Sequence, residues 1–518
     1  MRDIAYSHFF GANQLLDAWI IAFRIPNLSR RLFGEGAASA SFIPVYSEAL
    51  YKDRQQAAML VNTVVTVLLM ILAFLVLVGE AGIWLYYWLA ARTDETQMIL
   101  SLSSIMLPYM LFVCMVAILA GILNVHRHFA APAAAPIVLN VFIIGTILST
   151  AYLLKIEARS QLFYVAVAVL VAGVVQIALQ IQPLYRCGVS IRPAWQVYSE
   201  SFKKILLLMG PMILGLTATQ INTLADDLVA WWFSGSEEKG RFFELLGAQI
   251  EYPMWRGSVS YLYYAQRLYQ LPFGVLGISL ATAIFPVMSA DAARGDFAAL
   301  RTSISKGLSG TVFVAIPATV GLIMIGRPLI AVMFEHGQFG RFHNDTDMVA
   351  WTLFFYSLGL CGYFAQQVVI RAFYSMQDSK MPARSAFLAV CVDIVLNLTL
   401  IWVLGTSGLA CSTAACSYLQ VIILVAVLRR RLGHGILDGL LSTSLKTLTA
   451  TAFMWLVGAG IIYLMGNLPD SRLSNCLRLA VVVPSGAVVY LLAAKFLNIK
   501  MLSLLTGARP VPVQEQAP

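Results

Sequence analysis

Long apolar runs follow one another along the whole chain and constrain its fold more than any other feature. Thirteen of them are long enough to cross the hydrocarbon core of a bilayer as an α-helix. With 59% hydrophobic and only 12% charged residues, the chain has too few polar side chains to cover a soluble protein of this length. The sequence therefore predicts an all-α polytopic membrane protein.

The first run, at about 15–50, carries charged and polar residues at a depth where they are costly. An arginine at the centre of a bilayer costs at least about 2.5 kcal/mol, so such residues usually face a cavity. Pro26 and the pair Gly34 and Gly36 should bend or break the helix here. A helical stripe at i, i+3, i+7 and i+11 is formed by Arg24, Asn27, Arg31 and Glu35. This pattern predicts a basic, water-filled cavity inside a helical bundle.

The second half of the chain has a polar helix face of its own, in the segment 257–274. This face is formed at helical spacing by Ser260, Tyr263, Tyr264, Arg267 and Gln270. No carboxylate lies within helical reach of Arg267. We therefore expect its guanidinium to meet a ligand anion, most naturally a phosphate, which guanidinium binds bidentately. The alternative is an ion pair with an acid on another helix.

Two pairs of segments indicate an internal repeat. ASASFIPVYSE at 38–48 resembles LATAIFPVMSA at 280–290, and NVHRHFAAPAAAPIVLN at 124–140 has a looser counterpart in YSMQDSKMPARSAFLAV at 374–390. Similar offsets within both pairs favour two homologous halves. Parallel halves around a central cavity are typical of transporters. The alternative is a coincidence of proline-containing helix ends.

A second kind of site is indicated by polar residues within the later apolar runs. Carboxylate, amide and hydroxyl oxygens suit Na⁺ or a proton relay. Hydrogen bonding between helices explains such residues nearly as well. The candidate residues are Asp226, Asp227, Asp393, Asn397 and Thr413.

Charge and cysteine content narrow the function further. The net charge of +9 comes mostly from residues between the apolar runs, where orientation in the membrane explains it better than nucleic-acid binding does. Alternate loops, beginning with 51–58, carry more Lys and Arg than the opposite loops, which predicts a cytoplasmic C-terminus. None of the seven cysteines forms a paired metal-ligand motif, and small core residues are the simpler interpretation.

Five stretches carry a resemblance to a known family. They are Arg2 with Asp3, DAWIIAFRIPNLSRRLFGEGAASASFIP at 17–44, GILNVHRHFAAPAAAPIVLN at 121–140, YYAQRLYQLPFGVLGISLATAIFP at 263–286 and RAFYSMQDSKMP at 371–382. With these motifs the chain resembles the MurJ (MviN) family of lipid II flippases, in the multidrug/oligosaccharidyl-lipid/polysaccharide exporter superfamily. The resemblance extends over nearly the whole chain.

The resemblance implies about fourteen transmembrane helices in an inner membrane, with the first helix truncated here. It implies two homologous six-helix lobes, at 1–200 and 201–432, and two C-terminal helices at 433–500 that form a groove for a lipid tail. The Pro-rich residues 501–518 are expected to be a disordered tail. In the family, residues precede the Arg-Asp pair and complete the first helix, whereas here Met1 directly precedes Arg2. The expected explanation is either a misassigned start site or a truncated form.

The implied function is translocation of lipid II, the undecaprenyl-pyrophosphate-linked disaccharide-pentapeptide, from the cytoplasmic to the periplasmic leaflet by alternating access. No catalytic residue is expected, and cell-wall synthesis or division proteins are potential partners. Carried over by motif, the substrate-binding residues are Arg2, Asp3, Asp17, Asn27, Arg30, Arg31, Glu35, Ser260 and Arg267. The family's sodium site would fall on Asp226, Asp393, Asn397 and Thr413.

Alternative functions remain open. Within transport, these are export of another polyprenyl-linked glycan and drug or cation antiport, although arginines favour an anionic lipid head group. A membrane enzyme would require a large extramembrane loop with clustered acids or a metal motif, which the sequence does not provide. A non-transporting scaffold for cell-wall enzymes is the third alternative. The acidic loop at 234–257 is expected to form a surface helix.

Overall fold

A computed structural model gives the structure of the chain, and it describes residues 1–32, 37–89, 93–245, 247–341 and 344–502. The described residues are overwhelmingly helical, in agreement with the predicted all-α class. The helices of the first half are α1 (Arg2–Phe10), α2 (Gln14–Ser29), α3 (Ala37–Lys52), α4 (Arg54–Leu89), α5 (Asp94–Met106), α6 (Tyr109–Val125), α7 (Ala130–Leu148), α8 (Ala158–Arg186) and α9 (Glu200–Trp232).

The second half continues this architecture. Its helices are α10 (Ser258–Pro272), α11 (Ser279–Ala293), α12 (Phe297–Phe334), α13 (Asp345–Leu358), α14 (Leu360–Ser375), α15 (Lys380–Leu404), α16 (Thr406–Leu432), α17 (Leu440–Leu464) and α18 (Arg472–Phe496). Short π-helical turns extend α7 and α10, at Ser149–Leu153 and Phe273–Ile278. Short 3₁₀ turns lie at Phe339–Arg341 and His434–Leu437.

Eleven helical stretches of the described residues are long and apolar enough to cross a membrane. They coincide with eleven of the thirteen predicted runs. The other two runs, at 15–50 and 203–233, form α2 with α3 and α9. Large apolar side chains cover the outside of these helices, as on α4, where Phe74, Leu77 and Trp88 are 65%, 69% and 79% exposed. Such apolar exposure suits lipid and not water, and the chain is a multi-pass membrane protein.

Side-chain caps explain where several helices begin. The Oδ1 atom of Asn13 accepts hydrogen bonds from the backbone N–H groups of Leu15 and Leu16, at 3.0 and 3.3 Å. Each such cap contributes about 1 kcal/mol by satisfying N–H groups that have no partner inside the helix. The same role is played by Thr93 for α5, Ser199 for α9, Asp296 for α12 and Ser471 for α18.

The chain divides into two compact units. Unit 1 consists of Met1–Ser260 and His336–Arg341, and unit 2 of Tyr261–Glu335 and Phe342–Pro518. The short second piece of unit 1 is held against the end of α1, because the Gln338 N–H donates to the His8 carbonyl at 2.9 Å. The imidazole rings of His8 and His336 lie 5.6 Å apart in the same contact.

Each unit has its own apolar core. In unit 1 the core joins α3, α4, α6 and α9, through residues such as Phe42, Leu60, Ile118 and Phe202. In unit 2 one cluster joins α11, α12, α14 and α16, and a second packs α17 and α18 onto Phe313 of α12. The Tyr490 hydroxyl of α18 donates to the Phe313 carbonyl at 2.5 Å, which fixes α18 along α12.

The predicted internal repeat is present in the local structure. Helix α6 ends at Val125 and α7 begins at Ala130. In the second half, 250 positions later, α14 ends at Ser375 and α15 begins at Lys380. Helices α3 and α11 begin 242 positions apart, and each contains the proline of the predicted pair, Pro44 or Pro286. Both offsets match those of the sequence segments.

The two α6–α7 and α14–α15 turns share their hydrogen bonds as well. Arg127 and Gln377 both have a φ of 59°, in the left-handed region that residues other than glycine seldom occupy. The next residue closes each turn: His128 N–H donates to the Leu123 carbonyl at 2.9 Å, and Asp378 N–H donates to the Phe373 carbonyl at 3.0 Å. The same helix-ending turn is therefore built twice.

The prediction of a surface helix at 234–257 is wrong, because this segment forms short strands. Strands β2 (Phe242–Leu245) and β3 (Ala248–Glu251) make an antiparallel hairpin, and β1 (Ser234–Gly235) pairs in parallel with β4 (Met254–Trp255). Glycines with positive φ, at Gly240 and Gly247, interrupt any helix and allow the turns. Aromatic residues then favour strands, and the Phe243 and Tyr252 rings pack 4.9 Å apart.

Candidate functional site

Arg30 and Arg2 occupy one region of unit 1, near Tyr109 at the start of α6. The guanidinium of Arg30 donates through Nε and Nη2 to Asn27 Oδ1, at 3.1 and 2.9 Å. These two hydrogen bonds orient the Arg30 guanidinium. Because the Asn27 amide is neutral, they do not neutralise the positive charge of the arginine. Both Arg2 and Arg30 lie close enough to the Tyr109 hydroxyl to act on it electrostatically. We call these two arginines with Asn27 and Tyr109 the arginine site.

Arg2 has a different support. Its Nε and Nη2 atoms both lie 3.3 Å from Asp3 Oδ1, and its guanidinium lies 5.8 Å from the centre of the Tyr6 ring. Arg2 and Asp3 are adjacent in the sequence, and the side chains of adjacent residues do not face each other on a helix. Their ion pair, at 3.3 Å, is accordingly long for a charge-assisted hydrogen bond. The Arg2 side chain is 19% exposed, so it remains accessible to a ligand.

Arg24, which belongs to the predicted stripe, is held in an ion pair. Its Nε atom lies 2.5 Å from Asp227 Oδ2, and the carboxylate is fully buried while the Arg24 side chain is 16% exposed. Asp226 and Asp227 were both predicted as candidate oxygen ligands for Na⁺ or a proton relay, and Asp227 is instead the partner of Arg24. Asp226 is also buried, at 2% exposure.

Asp17 is buried and uses both carboxylate oxygens at the start of α10. Oδ2 accepts the Gly257 N–H at 2.8 Å, and Oδ1 accepts the N–H and hydroxyl of Ser260 at 2.8 and 2.5 Å. A carboxylate at a helix N-terminus satisfies N–H groups that lack partners in the helix and favours the positive end of the helix dipole. Asp17 and Ser260 therefore interact with each other, and their predicted contact with substrate stays a prediction.

Two further candidates lie on the C-terminal side of α2. Arg31 is exposed and donates through Nη1 to Gln220 Oε1 at 3.3 Å. Glu35 lies outside the described residues. Pro26 stays within α2, and the chain remains helical beyond Ser29 as a π-helical turn through residue 32. The predicted break at Gly34 and Gly36 lies outside the described residues.

Arg267 is the predicted anion-binding residue of unit 2. Its guanidinium lies 4.6 Å from the centre of the Tyr263 ring, one turn earlier on α10, in a cation–π arrangement. Two residues after Arg267 on α10, the Tyr269 ring packs against Tyr356 of α13 and Tyr363 of α14, with centroid distances of 4.9 and 5.3 Å. The Tyr269 contacts hold α10 against α13 and α14, and the Tyr263 ring orients the arginine.

Three of the Na⁺ candidates belong to unit 2, and Asp226 and Asp227 belong to unit 1. Asp393 and Asn397 are fully buried, and Asn397 Nδ2 donates to Asp393 Oδ2 at 3.0 Å. The Ser412 hydroxyl donates to Asn397 Oδ1, whereas the Thr413 hydroxyl donates to Leu409 of its own helix at 3.0 Å. The donor types fit Na⁺, because the carboxylate of Asp393, the amide oxygen of Asn397 and the hydroxyl of Ser412 on the next helix are hard oxygen ligands.

The sequence drew attention to polar residues of these regions without identifying their partners. Asp227 was among the candidates, because two adjacent aspartates interrupt an apolar run, but its ion pair with Arg24 was not predicted. The residues that the sequence missed are Tyr109, Gln220, Gly257 and Ser412. These four are ordinary helix or loop residues, and only the fold brings them to their partners.

Comparisons with known proteins agree with this architecture. The family model described as "Lipid II flippase MurJ" matches residues 6–470. A probable lipid II flippase MurJ of Vibrio cholerae serotype O1 is 30% identical over 476 residues, which cover 89% of this chain and 83% of the relative. A lipid II flippase MurJ of Burkholderia cenocepacia is 30% identical over 445 residues, covering 83% of this chain and 80% of the relative.

Solved structures show the same fold. A lipid II flippase MurJ in an inward closed conformation aligns with a TM-score of 0.75 at 24% identity, over 97% of this chain and 96% of that structure. An inward-facing multidrug transporter of the MATE family, in the MOP superfamily, aligns with a TM-score of 0.63 at 14% identity, over 83% of this chain and 93% of that structure.

Proposed function

We propose that this chain, which belongs to the lipid II flippase MurJ family, moves lipid II from the cytoplasmic to the periplasmic leaflet of the bacterial inner membrane. The observation that carries the proposal is the family match, which extends over residues 6–470. The relatives that match are named for the same activity, and the chain spans most of their length.

The chemistry of the arginine site supports this substrate. A pyrophosphate bearing a sugar-peptide head group cannot cross hydrocarbon unaided, because burying an uncompensated charge costs far more than thermal energy. Arg30, oriented by Asn27, and the partly exposed Arg2 provide guanidinium groups that match phosphate oxygens in geometry and charge. In unit 2, we expect Arg267 to bind phosphate oxygens in the same way. Translocation breaks no covalent bond, so these residues need only bind and release the head group.

We place the C-terminus on the cytoplasmic side. The loops that alternate with 51–58 carry the excess of Lys and Arg, and α16 ends on that side with Arg429, Arg430 and Arg431. The lipid tail would stay in the bilayer while the head group passes through the protein. Alternating access would then require the two halves of the repeat to move relative to each other.

The proposal is tested by following which leaflet holds lipid II. Cells depleted of their own flippase and expressing this chain should present lipid II to a lipid II hydrolase added outside the inner membrane. Arg30→Gln and Arg267→Gln should each reduce the cleaved fraction by about tenfold or more, since a lost charged hydrogen bond costs about 1.5 to 3 kcal/mol. The controls are Arg159→Gln and Arg327→Gln, which remove guanidinium groups from exposed ion pairs with Asp94 and Asp347.

Each outcome separates the alternatives. Lipid II that stays inaccessible in cells expressing the wild-type chain contradicts the flippase proposal. Accessibility that survives loss of both Arg30 and Arg267 charges, with viable cells, favours a scaffold for cell-wall enzymes. Normal lipid II distribution together with accumulation of another undecaprenyl-linked glycan favours the glycan exporter.

We further propose Na⁺ as a coupling ion, held by Asp393, Asn397 and Thr413. The fully buried Asp393 carboxylate, bonded to the Asn397 amide, whose oxygen in turn accepts the Ser412 hydroxyl, supports this assignment. Na⁺ should raise the unfolding midpoint of the purified chain relative to choline, and Asp393→Asn should abolish that increase. Asp347→Asn, in an exposed ion pair, should retain it. Equal midpoints in Na⁺ and choline for the wild-type chain would exclude the site.

A further inference from the structure

A polar cavity lies in unit 2 where the start of α12, the start of α17 and the end of α18 meet. Its volume is about 360 Å³, and its walls come from the segments 302–309, 435–446 and 498–501. None of the residues predicted to bind pyrophosphate or Na⁺ lines it. The cavity is therefore separate from the substrate and ion sites proposed above.

Positive charge dominates the lining. Lys306, Lys446 and Lys500 line the cavity, and the only acid in the lining is Asp438. Over the described part of the chain, Lys306 and Lys446 form no ion pair or hydrogen bond with protein groups. The ammonium groups of Lys306 and Lys446 are therefore suited to an anion, and phosphate is a common ligand of lysine.

Neutral donors face the same space. Ser309 is only 4% exposed, yet its hydroxyl has no hydrogen-bond partner among the described residues. It lines the cavity, so a ligand oxygen could accept from it. Ser305 has a structural role here, because its hydroxyl donates to the Asp438 carbonyl at 2.6 Å and fixes the loop that precedes α17.

The N-terminus of α17 contributes backbone donors. Gly439, in a left-handed conformation with φ 75°, precedes the 25-residue helix, and no side chain caps its first turn. The first N–H groups of a helix have no partners inside it and carry the positive end of the helix dipole. Together with the lysines and Ser309, this end of α17 has the composition of a phosphate-binding site.

We propose that this cavity binds the phosphate group of a ligand, through Lys306, Lys446 and the first turn of α17. The phosphate could belong to a membrane phospholipid or to a soluble molecule. Leu441 and Leu445, which alternate with the cavity residues on α17, are 73% and 58% exposed, so acyl chains have an apolar surface directly beside the cavity. The same phosphate chemistry serves both sources, and the experiment distinguishes them.

The test uses the purified full-length chain in neutral detergent. In the lipid arm, native mass spectrometry counts bound dioleoylphosphatidylglycerol, with dioleoylglycerol as the matched lipid that lacks phosphate. In the soluble arm, calorimetry follows titration with inorganic phosphate. The variant K306Q/K446Q should weaken binding by about thirtyfold, since each lysine near an anionic group is worth about a factor of five to six.

Three controls make the result specific. K495Q removes an exposed lysine of α18 that does not line the cavity, and it should bind as the wild-type chain does. K306R/K446R should restore most of the binding because it restores both charges. The unliganded variants should unfold at the wild-type temperature, which shows that they are folded. Arg30→Gln should bind normally even where it abolishes flipping.

The outcomes decide the proposal. Lysine-dependent binding in the lipid arm identifies a phospholipid site, and lysine-dependent binding in the soluble arm identifies a site for a soluble phosphate compound. The proposal is overturned if neither probe binds the wild-type chain, or if K306Q/K446Q binds both probes with wild-type affinity.

Discussion

Arg24 and Asp227 form an ion pair from which water is largely excluded. Asp227 is fully buried, and its carboxylate lies 2.5 Å from the Arg24 guanidinium, which is 16% exposed. Removing one partner of such a pair leaves an uncompensated buried charge, which typically costs about 3 to 5 kcal/mol. The pair thus connects α2 to α9 within unit 1 at a position where either single change is costly.

This pair provides a stability prediction. Asp227→Asn and Arg24→Gln should each lower the free energy of unfolding of the purified chain by about 3 kcal/mol, measured by chemical denaturation in detergent. The double variant should lose less than the two single losses combined, because neither charge is then left alone. Arg159→Gln, whose ion pair with Asp94 is exposed, should cost about 1 kcal/mol or less. Additive losses at Arg24 and Asp227 would contradict the coupling.

Asp378, in the turn between α14 and α15, is a carboxyl with a lowered pKa. Burial alone would raise its pKa, but hydrogen bonds from Arg431 and from the Met381 and Lys380 N–H groups bring it below the usual range. A carboxyl whose pKa is lower in the folded state stabilises the fold above the ordinary carboxyl pKa of about 4. That contribution disappears as the pH falls through the lowered value.

The pH dependence follows from this sign. Asp378→Asn should lower the thermal unfolding midpoint at pH 7, and the gap from the wild-type chain should narrow as the pH falls below about 4. Midpoints measured between pH 3 and 8 check the expectation. Asp347→Asn is the matched control, because its ion pair with Arg327 is exposed and should matter little at any pH. A gap that is the same at every pH would exclude the titration of Asp378 as its cause.

For single residues, the sequence predicts which side chains are functional candidates better than it predicts which groups they contact. Spacing placed Arg24 on the polar stripe of α2, but Asp226 and Asp227 are adjacent and point about 100° apart on α9. Only the packing of α9 in unit 1 decides that Asp227 faces Arg24. Asp17 shows the same limit, since its Gly257 and Ser260 partners lie more than 200 residues away along the chain.

The turns that end α6 and α14 allow the internal repeat to be tested. Arg127 and Gln377 occupy equivalent positions 250 residues apart, each with φ 59° and each exposed. A left-handed conformation costs a residue with a Cβ atom about 1 to 2 kcal/mol, and glycine avoids that cost.

Glycine at these turns should therefore stabilise both halves alike. Arg127→Gly and Gln377→Gly should each raise the free energy of unfolding by up to about 1 kcal/mol, after the greater unfolded-state entropy of glycine is subtracted. Asn124→Gly and Tyr374→Gly, three residues earlier in α6 and α14, should lower it, because glycine is unfavourable inside a helix. Opposite effects at Arg127 and Gln377 in equilibrium denaturation would show that the two turns are not equivalent.

Elements of high apolarity were predictable, and short irregular ones were not. Eleven predicted runs coincide with spanning helices because length and hydropathy alone decide whether a helix can cross a bilayer. In the segment 234–257, acidic residues suggested an exposed helix, but Gly240 and Gly247 at positive φ select turns and strands instead. Single glycine conformations of this kind depend on contacts that the sequence does not show.

For the whole molecule, the surplus of basic residues leads us to expect that transport depends on the membrane potential. If the empty transporter carries net positive charge in its cavity, an inside-negative potential favours the conformation that places this charge nearer the cytoplasm. The free-energy difference is about 2.3 kcal/mol for each charge moved through 100 mV. Bound pyrophosphate would cancel that charge. We therefore expect the potential to favour return of the empty transporter toward the cytoplasm.

This expectation can be measured. Dissipating the potential at constant pH and Na⁺, in cells that rely on this chain, should slow the appearance of lipid II in the outer leaflet. Arg30→Gln should weaken that dependence in whatever transport remains, whereas Arg159→Gln should leave it intact, because Arg159 lies in an exposed ion pair. Transport that responds to neither the potential nor Na⁺ would contradict the coupling proposed here.

The docking of residues 336–341 on the end of α1 has a consequence for biosynthesis. The His8 carbonyl is bonded by the Gln338 N–H, so unit 1 contains a contact between residues separated by 330 positions. At typical elongation rates, a ribosome needs roughly 15 to 65 s to add that many residues. Throughout that interval the first helix is already made while its bonding partner does not yet exist. During synthesis, the end of α1 therefore lacks the hydrogen bond from Gln338 and must remain stable without it, which membrane insertion factors could assist.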